Sequence, residues 1–278
     1  MKQLYLDCSM GAAGDMLAAA LYELLDYEGK QNFIEIMNGL APEGVAVFVR
    51  PETKCGILGT HFDVAVNGEE EHSHDHHDHG HSHTHEHTHE NQQEHCHTHE
   101  HAHSHHSHVH HSMADVEAII DAFSIDDKVK SSIKEVYKVV AAAESEVHGT
   151  SVSEIHFHEV GMMDAIADVT AVCLLMDMLG PDRITASPVR VGFGHMRCAH
   201  GILPVPAPAT ENILRGIPTY AGGIEAELCT PTGAALLRHF VSEFCDQPLM
   251  AVDRIGYGMG TKNFDVCNCV RALIGESK

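Results

Sequence analysis

The stretch QLYLDCSMGAAGDMLAAALYELL, residues 3–25, joins a strand pattern, a glycine-rich loop and a helix pattern in one run. Gly11 and Gly14 permit a tight turn, and the amides at the start of the following helix can receive an anion such as a phosphate. The loop matches neither a Walker sequence nor a complete dinucleotide fingerprint, so a simple turn is the alternative. Asp7 and Asp15 flank the loop as candidate cation ligands, although Asp15 is equally suited to cap the helix.

Strand and helix patterns continue on both sides of a long insertion. A helix near residues 31–39 is followed by two strands, VAVFVRPE and ILGTHFDVAV, and further helices are predicted after residue 111. The order predicts an α/β protein, a mixed α+β globular domain rather than a doubly wound sheet. We expect residues 1–68 to form the first part of this domain, residues 69–112 a disordered histidine-rich insertion, and residues 113–278 the remainder.

The insertion has the composition of a metal-binding segment. Between His72 and His111, 20 of 40 residues are histidine, and none is lysine or arginine. Neutral imidazole suits nickel, copper and zinc, while the scarcity of apolar residues predicts disorder without metal. The candidate ligands, mostly in His-x-His repeats, are His74, His76, His81, His83, His85, His87, His89, His97, His99, His101 and His103. A solvated spacer or an expression tag is the alternative, and composition alone does not select nickel over copper or zinc.

The stretch EIHFHEVGMMDAIADVTAVCLLMDMLG, residues 154–180, places polar groups at the start of an apolar helix. His156 and His158 alternate along an extended segment, and Glu159 follows directly. Asp164 and Asp168 lie one turn apart on the helix, where buried carboxylates need partners or cations. The cluster predicts a divalent-metal site in which the histidines are ligands and the three carboxylates are catalytic. Helix capping by Asp164 and satisfied core histidines are the structural alternatives.

Three later segments carry weaker signals. In GFGHMRCAHGILPVPAPAT, Arg197 and His200 are candidate substrate-binding residues and Cys198 a soft-metal ligand, although the proline-stiffened segment can serve as a plain connection. A strand is predicted at IEAEL, and a helix after CTPTG whose threonines cap it or hold an oxyanion. The tail reads as a glycine-rich loop and then a strand containing Cys267 and Cys269. Their spacing is short for a zinc pair, so a place in the strand core is favoured.

The overall composition argues against several classes of protein. The net charge of −23 disfavours nucleic acid as a partner. Nine cysteines without a regular framework, and a start that lacks the apolar run of a signal peptide, predict a reduced, cytoplasmic protein. No apolar run reaches the roughly 18 residues of a membrane span, so no membrane association is expected.

Five motifs in order, LDCSMGAAGDM, IHFHEVGMMDAIADV, RCAHGILPVPAPAT, ELCTPTGAALL and GYGMGTKNFD, resemble the LarC-type nickel insertion proteins, which also carry a histidine-rich insertion between the first two. The resemblance implies insertion of nickel into pyridinium-3,5-bisthiocarboxylic acid mononucleotide, which yields the nickel-pincer cofactor of lactate racemase. It implies an enzyme of the metal-chelatase lyase type, with nickel as the metal and a nickel-pincer enzyme as a further partner.

Longer members of that family continue into a C-terminal domain associated with CTP, and with magnesium or manganese, whereas this sequence stops at Lys278. The resemblance therefore implies a C-terminal partner polypeptide, without which turnover is not expected. Two other hypotheses stay open from the residues alone. One is a non-enzymatic nickel store or chaperone, and the other is a metal-dependent phosphohydrolase built on the glycine loop and the carboxylates.

Overall fold

The computed structural model describes residues 1–66, 69–70, 111–157, 160–198 and 200–277. The described strands are β1 (Lys2–Asp7), β2 (Val45–Lys54), β3 (Ile57–Val66), β4 (Glu69–Glu70), β5 (His111–Ser112), β6 (His156–Phe157), β7 (Arg183–Ala186), β8 (Val189–Arg190), β9 (His195–Cys198), β10 (Gly201–Pro204), β11 (Thr219–Tyr220), β12 (Glu243–Phe244), β13 (Met250–Met259) and β14 (Cys269–Ser277). The described helices are α1 (Gly14–Glu23), α2 (Tyr27–Leu40), α3 (Met113–Ala122), α4 (Asp127–His148), α5 (Met163–Leu179), α6 (Pro208–Ile213) and α7 (Pro231–Phe240). The α/β class is confirmed.

One mixed sheet organises the domain, in the order β12-β7-β1-β14-β13-β3-β2, with β4 paired to β3. β1 runs parallel to β7 and antiparallel to β14, and β13 runs parallel to β3. β14 is the last described strand, yet it pairs with β1, the first. The centre of the sheet therefore forms only when both ends of the described chain come together. The mixed character agrees with the prediction, and the sequence did not predict the strand order.

The helix that follows the first loop packs on the centre of the sheet, and glycines make this contact possible. A Cβ on Gly256 would lie 2.0 Å from the Ala20 carbonyl oxygen, and one on Gly258 would lie 1.8 Å from the Met16 carbonyl oxygen. The prediction of a glycine-rich loop here was wrong, because these glycines belong to β13. They bring strand and helix backbones close together, a recognised use of glycine within a strand.

Two predicted strands also differ from the structure. RITASPVRV, residues 183–191, has the sequence of a single strand but splits into β7 and β8 around Pro188, which has no backbone N–H for a continuous ladder. IEAEL forms no strand; Glu227 and Cys229 make single bridges to Gly192 and Ala12. Short alternating runs between glycines predict strands poorly because loop pairing gives the same pattern.

The two long helices are confirmed. α5 is buried on most sides, as its nearly continuous apolar sequence predicts. The sequence of α4 has apolar residues at helical spacing, which predicts a buried stripe, and all five are buried: Val129, Ile133, Val136, Tyr137 and Val140. α4 packs on α5, α6 and α7, so its stripe belongs to the helical layer of the core.

Short strands mark both ends of the histidine-rich insertion. β4 pairs with the end of β3, and β5 pairs antiparallel with β6, so Ser112 stands opposite His156. The candidate ligands from His74 to His103 lie outside the described residues. None of the helices in the described part is long and apolar enough to cross a membrane.

Candidate functional site

Two aspartates from distant parts of the sequence meet where α1 begins. The Asp168 carboxylate accepts a hydrogen bond from the Asp15 amide, in the first turn of α1. A Cβ on Gly14 would lie 2.6 Å from Asp168 Oδ2, so only glycine leaves room for this carboxylate. The structure thus brings together Gly14, Asp15 and Asp168 from the two motifs that the sequence singled out. We call Asp15 and Asp168 the acid pair.

The acid pair holds its protons more tightly than ordinary carboxyls. Both residues keep some accessible surface, yet the surrounding protein removes most of the water from their carboxyl groups. Burial, followed by the charges of Asp15 and Asp164, raises the pKa of Asp168 well above its usual range. Burial also raises the pKa of Asp15, which the charge of His61 lowers and that of Asp63 raises. Since these are like charges in a partly desolvated place, a proton or a cation is needed to balance them.

Asp164 and Tyr137 complete the surroundings of Asp168. Asp164 occupies the first turn of α5, where Met162 is the N-cap residue, so the alternative that Asp164 is the cap is wrong. The Tyr137 hydroxyl donates to the Val160 carbonyl oxygen at 3.1 Å. Burial and the charges of Asp164 and Asp168 raise the pKa of this tyrosine well above its usual range. Tyr137 therefore stays protonated beside the carboxylates and links α4 to the loop before α5.

A second set of charged residues lies on β2 and β3. Arg50 Nε donates to Asp63 Oδ2 at 2.7 Å, and His61 Nε2 lies 2.9 Å from Asp63 Oδ1. Glu52 lies 2.8 Å from Arg50 and 3.1 Å from Lys54. We call these five residues the charge ladder. Sequence reasoning missed it, although charged residues at alternate positions of two adjacent predicted strands were the available signal.

The charge ladder contacts the neighbouring strand β13 and acts electrostatically on Asp15 of the acid pair. His61 is buried, and its Nδ1 lies 2.7 Å from the Met259 carbonyl oxygen at the end of β13. The charges of His61 and Asp63 both act on Asp15. The buried members of the ladder therefore contribute to the electrostatic environment of Asp15.

The glycine-rich loop is packed by a second loop. A Cβ on Gly11 would lie 1.8 Å from the Leu228 carbonyl oxygen, and one on Gly233 would lie 2.1 Å from the Ala12 carbonyl oxygen. Thr230 caps α7, since its hydroxyl accepts from the Gly233 amide at 3.2 Å, as the plainer alternative predicted. These contacts give Gly11 and Gly233 a packing role. A phosphate site at the first loop stays a prediction.

Other sequence candidates lie elsewhere. Asp7 is ion-paired with Arg271 at 2.7 Å. Arg197 is exposed on the β9–β10 hairpin, and the His200 ring in the turn of that hairpin lies 4.9 Å from the ring of His148 at the end of α4. The structure places the candidate substrate-binding residues in two groups, one at the acid pair and one in this hairpin.

The candidate metal ligands outside the tract are only partly described. His156 is exposed in β6, close enough to Asp115 for its charge to act on that carboxylate, and His158 and Glu159 lie outside the described residues. Among the residues that the structure describes, no three His, Cys, Asp or Glu side chains converge closely enough to hold a metal ion. Within the described part of the chain, Asp15 and Asp168 are therefore a pair of carboxylates that no third side chain completes as a metal site.

Comparison with known proteins identifies the family. A model of the family described as "Nickel insertion protein" matches residues 4–278. The pyridinium-3,5-bisthiocarboxylic acid mononucleotide nickel insertion protein of Clostridium kluyveri is 38% identical over 100% of this chain and 63% of its own length. The protein of the same name from Clostridium acetobutylicum is 41% identical over 100% of this chain and 65% of its own length.

A putative nickel insertion protein of Maridesulfovibrio salexigens is 41% identical over 99% of this chain and 63% of its own length. The chain thus spans less than two thirds of the length of these relatives. No solved structure matches. Since the family model covers nearly the whole sequence and the relatives match it from end to end, the chain belongs to the nickel insertion protein family.

Proposed function

We propose that the chain gathers nickel on its histidine-rich tract and inserts it into pyridinium-3,5-bisthiocarboxylic acid mononucleotide. One observation carries the proposal. β5, at the end of the tract, pairs with β6, so that His111 stands opposite Phe157 and Ser112 opposite His156. The tract therefore returns to the fold at the segment that leads into α5 and its two aspartates.

The path from the end of the tract to the acid pair is short. A Cβ on Gly161 would lie 2.7 Å from Phe157 Cβ and 3.5 Å from His111 Cβ. The next contact along this path is Val160, which accepts from Tyr137, and Tyr137 lies beside Asp164 and Asp168. A nickel ion released near His111 would thus enter a chain of contacts that leads to Asp168, a carboxylate of raised pKa.

The acid pair suits the chemistry of insertion in two ways. A cation held between Asp15 and Asp168 relieves their mutual repulsion, so ion binding and loss of the proton are coupled. Formation of a nickel–carbon bond at a ring carbon also releases a proton. The two sulfur atoms of the substrate would replace the carboxylates as ligands of the ion. The released Asp168 carboxylate, whose pKa is raised when no ion is bound, would then accept the proton that leaves the ring carbon.

The remaining partners are proposed from the resemblance to LarC-type proteins. A C-terminal polypeptide that binds CTP with magnesium or manganese would work with this chain, and a nickel-pincer enzyme such as lactate racemase would receive the product. The substrate phosphate would bind at the Gly11–Gly14 loop or near Arg197 and His200. The protein would act in the cytoplasm.

Reconstitution tests the proposal. The purified chain is incubated with nickel and the mononucleotide, with and without CTP and the C-terminal polypeptide, and the nickel-containing product is measured by mass spectrometry. We expect product in the complete mixture. Removal of residues 72–110 keeps the β5–β6 pairing, and the loss of activity should be overcome by excess nickel.

The same experiment separates insertion from storage. If Asp164→Ala and Asp168→Ala abolish insertion while the tract still binds nickel, the folded site is the active element. If these variants insert nickel as well as the unmodified chain, a nickel store with a docking domain replaces the insertion model. The Glu135→Gln variant, on the exposed side of α4, is the matched control and should keep full activity.

A further inference from the structure

Away from the acid pair, two cysteines near the end of the described chain have their sulfur atoms close together. Cys267 Sγ and Cys269 Sγ lie 3.6 Å apart and share a hydrogen bond. Both are free thiols and half-buried, so the predicted place in the strand core was wrong. Between them Asn268 is buried and donates to the Lys262 carbonyl oxygen at 2.8 Å. Because the side chains of an extended segment alternate, the inward Asn268 directs both thiols to the opposite side.

The sulfur separation fits a shared metal ion. Thiolates bound at about 2.3 Å to one divalent ion lie roughly 3.3 to 3.8 Å apart, for square-planar and tetrahedral angles respectively. A disulfide fits the backbone less well. Residues two apart in a strand have Cα atoms about 6.6 Å apart, near the upper limit of disulfide geometry.

The charges around the thiols also favour a cation. Burial, the neighbouring Cys267 and the charge of Asp7 raise the pKa of Cys269 to about 12. The Cys269 thiol is therefore protonated at neutral pH, and a soft divalent ion bound by both sulfur atoms would displace the thiol protons to solvent. The bound ion and two thiolates then sum to zero charge, which leaves the Asp7–Arg271 ion pair balanced.

The position of the pair relates it to the rest of the site. β14 begins at Cys269, β13 ends at Met259 and β1 ends at Asp7, and the register of these strands places all three ends at one edge of the sheet. The glycine-rich loop leaves from the same edge. Thiols at this edge offer a nickel ion the same kind of ligand as the sulfur atoms of the proposed substrate.

We propose that Cys267 and Cys269 form a second, thiolate metal site for a soft divalent ion such as nickel, with two exchangeable positions left for water or an incoming sulfur ligand. The site goes beyond the proposed function, because metal can bind there whether or not insertion occurs. Because two of its positions can exchange ligands, the site could hold a nickel ion during transfer from imidazole ligands to a sulfur-bearing acceptor.

The test uses the full chain, kept anaerobic with a reductant that lacks thiols, and titrated with nickel. Thiolate ligation gives a sulfur-to-nickel charge-transfer absorption that imidazole and carboxylate ligands do not give. We expect the absorption to reach the intensity of one dithiolate-bound ion per chain, beyond the nickel held by the tract, and the chain to release more protons in weak buffer than the double variant does. The double variant Cys267→Ser/Cys269→Ser should lose the absorption.

Two matched variants assign the signal. Cys96 lies within the histidine-rich tract and Cys55 is exposed, so Cys96→Ser and Cys55→Ser should leave the absorption unchanged. Persistence of the absorption in the double variant, or its loss in Cys96→Ser, would overturn the proposal.

If the double variant fails to fold, a measurement on the unmodified chain still tests the site. Alkylation of each cysteine is followed by peptide mass spectrometry with and without nickel. Nickel should protect Cys267 and Cys269 together and leave Cys55 reactive. Equal alkylation in both conditions, or a disulfide that forms despite nickel, would refute the site.

Discussion

The acid pair and the charge ladder are neighbours with opposite charge balance. In the ladder each carboxylate faces cations, and although burial opposes it, contact with Lys54, His61 and Arg50 lowers the pKa of Glu52. In the acid pair Asp168 faces two further carboxylates, and burial with these charges raises its pKa. In the ladder every carboxylate is paired with a cation, whereas the described charges that act on Asp168 are all negative.

This contrast supports the proposal that the acid pair serves function and that the charge ladder stabilises the fold. A balanced, hydrogen-bonded network stabilises the folded state when it is intact and destabilises it when one member is removed. An unbalanced pair of carboxylates lowers stability, and proteins retain such pairs where they bind or react. We therefore propose that the acid pair binds or reacts, and that the charge ladder stabilises the fold around it.

The largest expected effect is on activity. Asp168→Asn keeps an oxygen that can accept from the Asp15 amide but removes the negative charge. We expect nickel insertion to fall by at least about 100-fold, as when a group essential to a metal site is lost, while the free energy of unfolding in metal-free buffer at neutral pH rises by about 1 kcal/mol. Product formation and urea denaturation measure the two quantities.

Opposite signs for activity and stability are what distinguish a functional carboxylate. A merely structural Asp168 would lower both quantities together in the variant, and this result would break the comparison. Asp121→Asn, on α3, provides a matched change at a carboxylate that pairs with Lys134 at 2.6 Å, and it should alter neither quantity appreciably.

The next largest effect concerns the ladder. Asp63→Ala leaves the Arg50 guanidinium and the buried His61 without their shared acceptor. Removal of one partner from a buried ion pair costs about 3 to 5 kcal/mol, and because Arg50 is half-exposed we expect about 2 to 3 kcal/mol of lost stability by urea denaturation. The exposed pair Arg183–Glu243 supplies the control.

In that control, Glu243→Ala should cost under about 1 kcal/mol, as exposed ion pairs contribute little. Equal losses from Asp63→Ala and Glu243→Ala would show that the ladder is no more than a surface feature. The support role assigned to the ladder would then fail.

A third effect tests the fit of Asp168 against α1. Gly14→Ala introduces a Cβ about 2.6 Å from Asp168 Oδ2, so the carboxylate must move, and we expect a loss of about 2 kcal/mol, within the range for overpacking. Asp168→Ala removes the obstructing atoms, so the double variant should be more stable than the sum of the single changes predicts. Additive losses would mean that Gly14 is required for its backbone alone.

Gly39→Ala is the matched control, since Gly39 also lies in a helix and nothing lies within 4 Å of its added Cβ. Alanine has the higher helix propensity, so this variant should gain up to about 1 kcal/mol. The contrast between the two glycines isolates the contact with Asp168.

Residue chemistry assigns Asp15 and Asp168 to one metal- or precursor-binding pocket, but local sequence patterns do not predict the contact between them. The glycine loop and the run from Asp164 to Asp168 each have local patterns, a turn before a helix and polar residues on an apolar helix. Their contact depends on α1 crossing α5 above the sheet, which is set by packing between distant segments. No local pattern encodes that crossing.

The misassigned elements have the same origin. Gly256 and Gly258 predict a loop from local propensity, yet contact with α1 places them in a strand. The ladder was missed because alternating charges on a strand usually indicate a solvated face, whereas His61 and Asp63 are buried. In each case a tertiary contact overrides the local preference of the residue.

The smallest effect is a pH dependence of stability with two opposite limbs. The pKa of Glu52 is lowered in the folded state, so its contribution is present above its unfolded value, about pH 4.3, and is lost as the pH falls further. The pKa of Asp168 is raised, so its contribution is full below about pH 3.9 and is lost as the pH rises through the folded value. Urea denaturation across this range should show Glu52→Gln flattening the acid limb and Asp168→Asn flattening the limb towards neutral pH. If one variant flattens both limbs, the acid pair and the charge ladder titrate as a single network. They could then not be assigned separate roles in function and in stability.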